Sequence, residues 1–282
     1  MSFRYFLFLF FILVSCSSHK IEVENQINSL EDINLKNNND KVALFVHGLN
    51  QRPEKMLDLM TEFHQIGYDC YLIKLKGHSE KLFNEKENQK LVKFKNATFN
   101  DWLNDFDEIY KKIKNDYNQI IVVGYSLGGV VALNYLELNK VKVDKLFLIA
   151  PAIAIHSLNY SVKLLSLFPS FVIPSLSPKI YRANYGTPVS AYLSLYKGIK
   201  IFEENNIKHV NVKSFIILNE NDELVSYKKV KNLIEEKKLD KWKVFKISKT
   251  NVPDEFNYEH LIIDKKTLGD SWDIMINYIY EF

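Results

Sequence analysis

A chain of 282 residues that is 47% hydrophobic has enough apolar material for one large core, and α/β sheets of this size commonly stay one domain carrying an insertion. Its 37 basic and 34 acidic residues leave a formal charge of +3 and are interspersed, with no long block of one sign. That distribution excludes the electrostatic footprint of a nucleic-acid binder.

At the N-terminus Arg4 precedes an apolar run over 6–14, and Ser15-Cys16 follow it. The run is too short to cross a bilayer as a mature helix. A basic start, a short apolar segment and a small residue ahead of a cysteine resemble a bacterial lipoprotein signal. The resemblance implies that 1–15 is a signal peptide cut before Cys16, and that the Cys16 thiol carries a diacylglycerol while its amine takes an acyl chain such as palmitate. It also implies a lipid-anchored membrane protein of the cell envelope, with inner and outer membrane both open. An ordinary secretory leader with an incidental cysteine is the alternative. Once Cys16 is acylated, Cys70 has no partner for an intramolecular disulfide. Residues 16–40 read as the lipidated N-terminus and a polar tether ending in Asn37-Asn38-Asn39-Asp40. Stretches around 21–23 or 27–35 are alternatively able to add an edge element to a sheet.

From Lys41 onward, short β-rich runs alternate with helical segments, which predicts an α/β fold: a mostly parallel central sheet with helices on both faces. Strands are expected at 42–46, 70–75, 120–123, 145–149, 213–218 and 243–247, and helices at 53–66, 98–117, 127–139, 226–238 and 268–280. Thr98 followed by Asp101 has the form of a capping box, and Ser226 is placed to cap the helix after it. One interval breaks the alternation, because about sixty residues separate the strand ending at 149 from the one starting at 213, more than an ordinary connection holds. A helical cap insertion at about 152–210 is expected there. Its apolar and aromatic residues, among them Phe168, Phe171, Tyr192 and Tyr196, either form a slot for an acyl chain or pack the cap onto the domain.

The segment Gly124-Tyr125-Ser126-Leu127-Gly128-Gly129 directly follows an apolar strand and opens a helix. In G-x-S-x-G the glycines remove Cβ atoms where the strand-to-helix turn is tightest, and the serine hydroxyl projects above the sheet edge. A serine nucleophile needs a histidine base, and the base needs a carboxylate, in the order Ser, acid, His. After Ser126 come only His156, His209 and His260, and the first two fall inside or at the end of the cap. His260, after the last strand and a loop, is the expected base. Asp222, just past the strand at 213–218, is the expected acid, with Glu220 as its substitute. The oxyanion hole calls for two backbone N–H groups. These are expected from Leu127 and from Leu49 of His47-Gly48-Leu49, with the His47 ring hydrogen-bonded to loop backbone.

These marks, with Gly77-His78-Ser79, Ala150-Pro151-Ala152 and Asp222-Glu223-Leu224-Val225, resemble the α/β-hydrolase superfamily over about 41–282, and within it the monoacylglycerol lipase and lysophospholipase-like branch. One departure is the absence of a glycine between His78 and Ser79. The resemblance implies a serine hydrolase that cleaves carboxylic esters of small acyl or lipid substrates through an acyl-enzyme, with no cofactor and no metal. No two histidines stand at ligand spacing. A peptidase, thioesterase or acyltransferase on the same scaffold is the alternative, ahead of a non-catalytic surface lipoprotein. Oligomeric state stays open.

Overall fold

The apolar runs become strands of a single sheet, and the computed structural model describes residues 34–78, 87–205 and 207–282 of the chain. The leader 1–15, Cys16, the first part of the tether and Ser79 lie outside the described residues. Seven strands, β1 (Asn34–Leu35), β2 (Lys41–Val46), β3 (Asp69–Ile73), β4 (Gln119–Tyr125), β5 (Lys145–Ile149), β8 (Lys213–Leu218) and β9 (Trp242–Lys246), are ordered β1-β3-β2-β4-β5-β8-β9. Every neighbouring pair is parallel except β1 on β3. In β2 all residues after Lys41 are buried, as a strand covered on both faces requires.

Alternate side chains serve opposite faces. On one, Leu44, Val122, Leu148 and Ile216 join a core with Trp102, Phe106, Leu133 and Phe202, contributed by α3 (Phe99–Ile113), α4 (Leu127–Leu138) and α5 (Val189–Glu204). On the other, rings interlock: Phe45 with Phe63 of α1 (Leu57–Gln65) at 5.5 Å between centroids, Phe63 with Phe147 at 5.4 Å, and the terminal Phe282 with both Phe147 and Phe215 at 5.3 Å. Edge-to-face geometry adds to the area these rings bury. Thr98 and Asp101 close a reciprocal capping box on α3. Ser226 caps α6 (Tyr227–Glu236). A helix that the sequence pattern did not suggest, α2 (Glu87–Lys95), precedes α3, and α7 (Lys265–Leu268) and α8 (Trp272–Glu281) close the chain.

Two boundaries differ from the sequence expectation. Of the alternatives left open for the tether, an edge element within 27–35 is present in part: Asn34 and Leu35 pair antiparallel with Tyr71 and Cys70, so the sheet begins ahead of Lys41. Asp69 secures this turn by accepting the Asn37 N–H at 2.8 Å and the Tyr117 hydroxyl at 3.0 Å. The interval 152–210 is also only partly cap. A 3-10 helix (Ser157–Leu165) and the hairpin β6 (Val172–Pro174) with β7 (Gly186–Pro188) make up the excursion, whereas α5 is the crossover helix between β5 and β8. Its Ala191, Ile199 and Phe202 are buried, and the Asn134 side chain of α4 donates to Gly198 O at 3.0 Å.

Candidate active site

Ser126 sits between β4 and α4 with φ 52° and ψ −115°, a conformation that costs energy for a residue with a Cβ and persists only when its surroundings enforce it. They do so here: Ser126 N donates to Ile149 O at 3.0 Å, and Ala152 N and Gly129 N donate to Ser126 O at 3.1 Å. The flanking glycines are steric requirements. A Cβ on Gly128 would lie 2.0 Å from Val46 O, and one on Gly124 2.8 Å from Gly129 Cα.

Three expected residues converge at this sheet edge. His260 Nε2 is 2.9 Å from Ser126 Oγ, and His260 Nδ1 is 2.7 Å from Asp222 Oδ2, with all three side chains buried. Asp222 Oδ1 accepts the Leu224 and Val225 N–H groups, both at 2.8 Å, which aims the other oxygen at the ring. A carboxylate on Nδ1 holds the proton there and leaves Nε2 free to accept the serine hydroxyl. Glu220 is not part of this set. It pairs with Lys246 at 2.6 Å on the surface. His156 stands behind the acid, its Nε2 donating to Asp222 O at 3.0 Å, and His209 is held by a backbone bond to Glu137.

Three supports of the histidine loop had escaped the sequence reading. The Glu223 carboxylate accepts the N–H of Glu259 at 2.8 Å and of His260 at 2.9 Å. Tyr125, next to the nucleophile, donates its hydroxyl to His260 O at 3.0 Å. Lys249 Nζ donates to Phe256 O and Tyr258 O, both at 2.6 Å, and burial draws its pKa down to about 8. Their ligands are backbone groups, which carry no side-chain signature; the Glu223 of Asp222-Glu223-Leu224-Val225 was the one available hint.

The loop after β2 is equally constrained. Gly48 N donates to the Gln51 side chain at 2.6 Å, and Asn50 exchanges two hydrogen bonds with the Asn184 backbone, at 2.8 and 3.1 Å. The Asn184 side chain donates to Gly77 O at 3.0 Å, tying cap, β2 loop and β3 loop together. His47 accepts Leu75 N–H on Nε2 at 3.1 Å and so donates from Nδ1 to Gly48 O at 2.9 Å. Burial, then the neighbouring His78, holds its pKa well below the ordinary value, so the ring is neutral. Leu49 borders the cavity above Ser126. Leu127 is the first residue of α4, where the N–H has no acceptor within the helix and the dipole favours negative charge.

That cavity has a volume of about 430 Å³, and its walls include Ile155, Tyr192, Leu195, Tyr196, Leu224 and Tyr258. No Asp, Glu, Lys or Arg lines it among the described residues. Glu203 faces a separate cleft beside Lys229 and Glu236.

The family model for serine aminopeptidase, S33, matches residues 37–190, more than half of the chain. The chain belongs to the serine aminopeptidase S33 family. Its fold is the α/β-hydrolase fold. The match contains Leu49, Ser126 and Leu127, whereas Asp222 and His260 of this S33 family member lie beyond it. A thermostable monoacylglycerol lipase of Bacillus sp. (strain H-257) is 32% identical over 95 residues, a match that spans 34% of this chain and 34% of that relative. Among solved structures, one of the metagenome-derived lipolytic enzymes LipS and LipT superposes with a TM-score of 0.68 at 17% identity, covering 86% of this chain and 95% of that one. The monoacylglycerol lipase of Paleococcus ferrophilus gives 0.63 at 13% identity, covering 85% and 93%.

Proposed function

We propose that the protein is a serine hydrolase of the monoacylglycerol lipase-like kind, cleaving carboxylic esters of uncharged, lipid-like substrates through an acyl-enzyme. The observation that carries this reading is the continuous chain of hydrogen bonds from Ser126 Oγ through His260 to Asp222 at the floor of an apolar, uncharged cavity. Ser126 Oγ attacks the ester carbonyl as its proton passes to His260 Nε2. The N–H groups of Leu49 and Leu127 receive the negative charge that develops on the carbonyl oxygen. The imidazolium, stabilised by Asp222, then returns the proton to the departing alcohol, and a water molecule activated by the same nitrogen releases the acid.

An aminopeptidase needs a carboxylate to receive the substrate ammonium, and the cavity presents none among the described residues, which favours the ester. The N-terminal pattern adds the proposal that Cys16 is acylated and anchors the enzyme in the cell envelope; mass analysis of the mature N-terminus would show a lipid-modified cysteine.

A fluorophosphonate probe tests the chemistry. We expect covalent labelling of the wild-type chain and none of Ser126→Ala, and a folded wild-type chain that does not label rejects it. A panel of uncharged acyl esters beside aminoacyl amides then tests the substrate: hydrolysis confined to the esters supports the reading, and preference for the amides restores the peptidase.

A further inference from the structure

The turn that carries the acid is gripped from the cap through its carbonyls. Asn159, on the 3-10 helix at the root of the cap, donates from Nδ2 to Glu223 O at 3.0 Å and to Leu224 O at 3.2 Å, and His156 N donates to Leu224 O at 3.0 Å. The N–H groups that follow these two carbonyls are those of Leu224 and Val225, and both donate to Asp222 Oδ1 at 2.8 Å. A trans peptide is planar, with its C=O and N–H pointing in opposite directions, so a bond that fixes one end aims the other. Both peptides therefore have the cap at one end and the triad carboxylate at the other.

Asn159 is itself fixed. Its backbone oxygen accepts the hydroxyl of buried Tyr196 in α5 at 2.5 Å, and its N–H donates to His156 O at 3.0 Å. Asn159, Tyr196 and Leu224 all line the cavity, so the wall that meets the substrate and the hold on the acid are one structure. His156 provides the contrast. Its ring donates to Asp222 O at 3.0 Å, but the peptide it holds ends in the Glu223 N–H, whereas Asp222 Oδ1 takes its N–H groups from Leu224 and Val225.

We propose that Asn159 is a positioning residue of the triad: its amide, reaching over from the cap, holds the two peptides whose N–H groups orient Asp222, and Asp222 in turn orients His260. The inference rests on the hydrolase reading. Its test uses the full chain and a short, soluble acetyl ester, with active sites counted by fluorophosphonate labelling so that unfolded chain does not enter the rate. Asn159→Ala should lower kcat about tenfold, the scale of one or two positioning hydrogen bonds, and leave KM within about twofold. Asn159→Asp, equal in size but without the donor, should show the same loss and serves if the alanine variant does not fold. His156→Ala should stay within about twofold. In an Asp222→Ala background the two N–H groups have nothing to orient, so Asn159→Ala should there cost no more than about twofold, as expected of residues that act through a single group. A tenfold loss that persists in that background, or a raised KM with kcat unchanged, would assign Asn159 to the cavity wall and overturn the proposal. Wild-type kcat in Asn159→Ala would overturn it too, and with a wild-type chain that labels, the hydrolase reading would stand. A folded wild-type chain that takes no label removes both.

Discussion

Three carboxylates stand within four residues of one another after β8, and position alone separates their work. Asp222 touches the imidazole, Glu223 holds the backbone of His260, and Glu220 holds a surface lysine. Steady-state kinetics on a soluble ester should therefore rank them. Asp222→Asn, which presents an amide to the ring and favours the wrong tautomer, should lower kcat about 10⁴-fold. Glu223→Gln should cost about tenfold, the scale of one or two hydrogen bonds that position rather than react. Glu220→Gln should stay within about twofold, as exposed pairs contribute little. A loss at Glu220 as large as that at Asp222 would reverse the assignment. Asp222 was legible because strand, turn and acid occur in that order; Glu223 was not, because its ligands are amides of Glu259 and His260 on another loop.

At the level of elements, what reads from sequence is what rests on burial. The inner strands β2, β4, β5 and β8 are buried on both faces, and an unbroken apolar run has few other places to go. α5 was hidden by the length of the interval that holds it: Ala191, Leu195, Ile199 and Phe202 have helical spacing, but they fall within about sixty residues that read as one insertion. β1 was legible only as an open alternative for the tether, since two residues have no period. The elbow was legible for a steric reason, and that reason predicts a mutant. Gly128→Ala puts a methyl group against the Val46 carbonyl, backbone that is itself paired in the sheet. Urea denaturation should show a loss of about 3 kcal/mol, at the upper end of ordinary overpacking. A variant as stable as the wild type would mean that β2 and α4 can separate at the elbow.

The whole molecule carries a pH dependence written by two buried histidines. His47 and His78 lie 4.9 Å apart between ring centroids, and burial lowers the pKa of both, that of His78 from 6.5 to about 4. At these two rings the unfolded chain binds protons that the folded one refuses, so their contribution to stability rises with pH between about 4 and 6.5, while burial of Asp105, which raises its pKa to about 6, works in the opposite direction. For His78 the difference is about 3 kcal/mol at full effect. On going from pH 7 to pH 4, the urea midpoint of His78→Phe, beside Phe94 and Trp102, should lose less than that of the wild type. An identical slope in the variant would remove His78 from the account. The hydrogen bonds at the roots of the cap have a different reach. Ala152 N is fixed to the Ser126 carbonyl, and at the far end Ser190 Oγ is fixed to Lys95 O at 2.8 Å. Both anchors belong to parts whose positions the chemistry or the core dictates, and between them 153–188 is held at a few points, Asn184 on Asn50 and Gly77 and Tyr181 on Asp264. A different excursion grafted onto the same two roots would reshape the cavity wall without touching nucleophile, base or acid, provided that it kept the seam through Tyr181 and Asn184 and the hold of Asn159 on the acid loop.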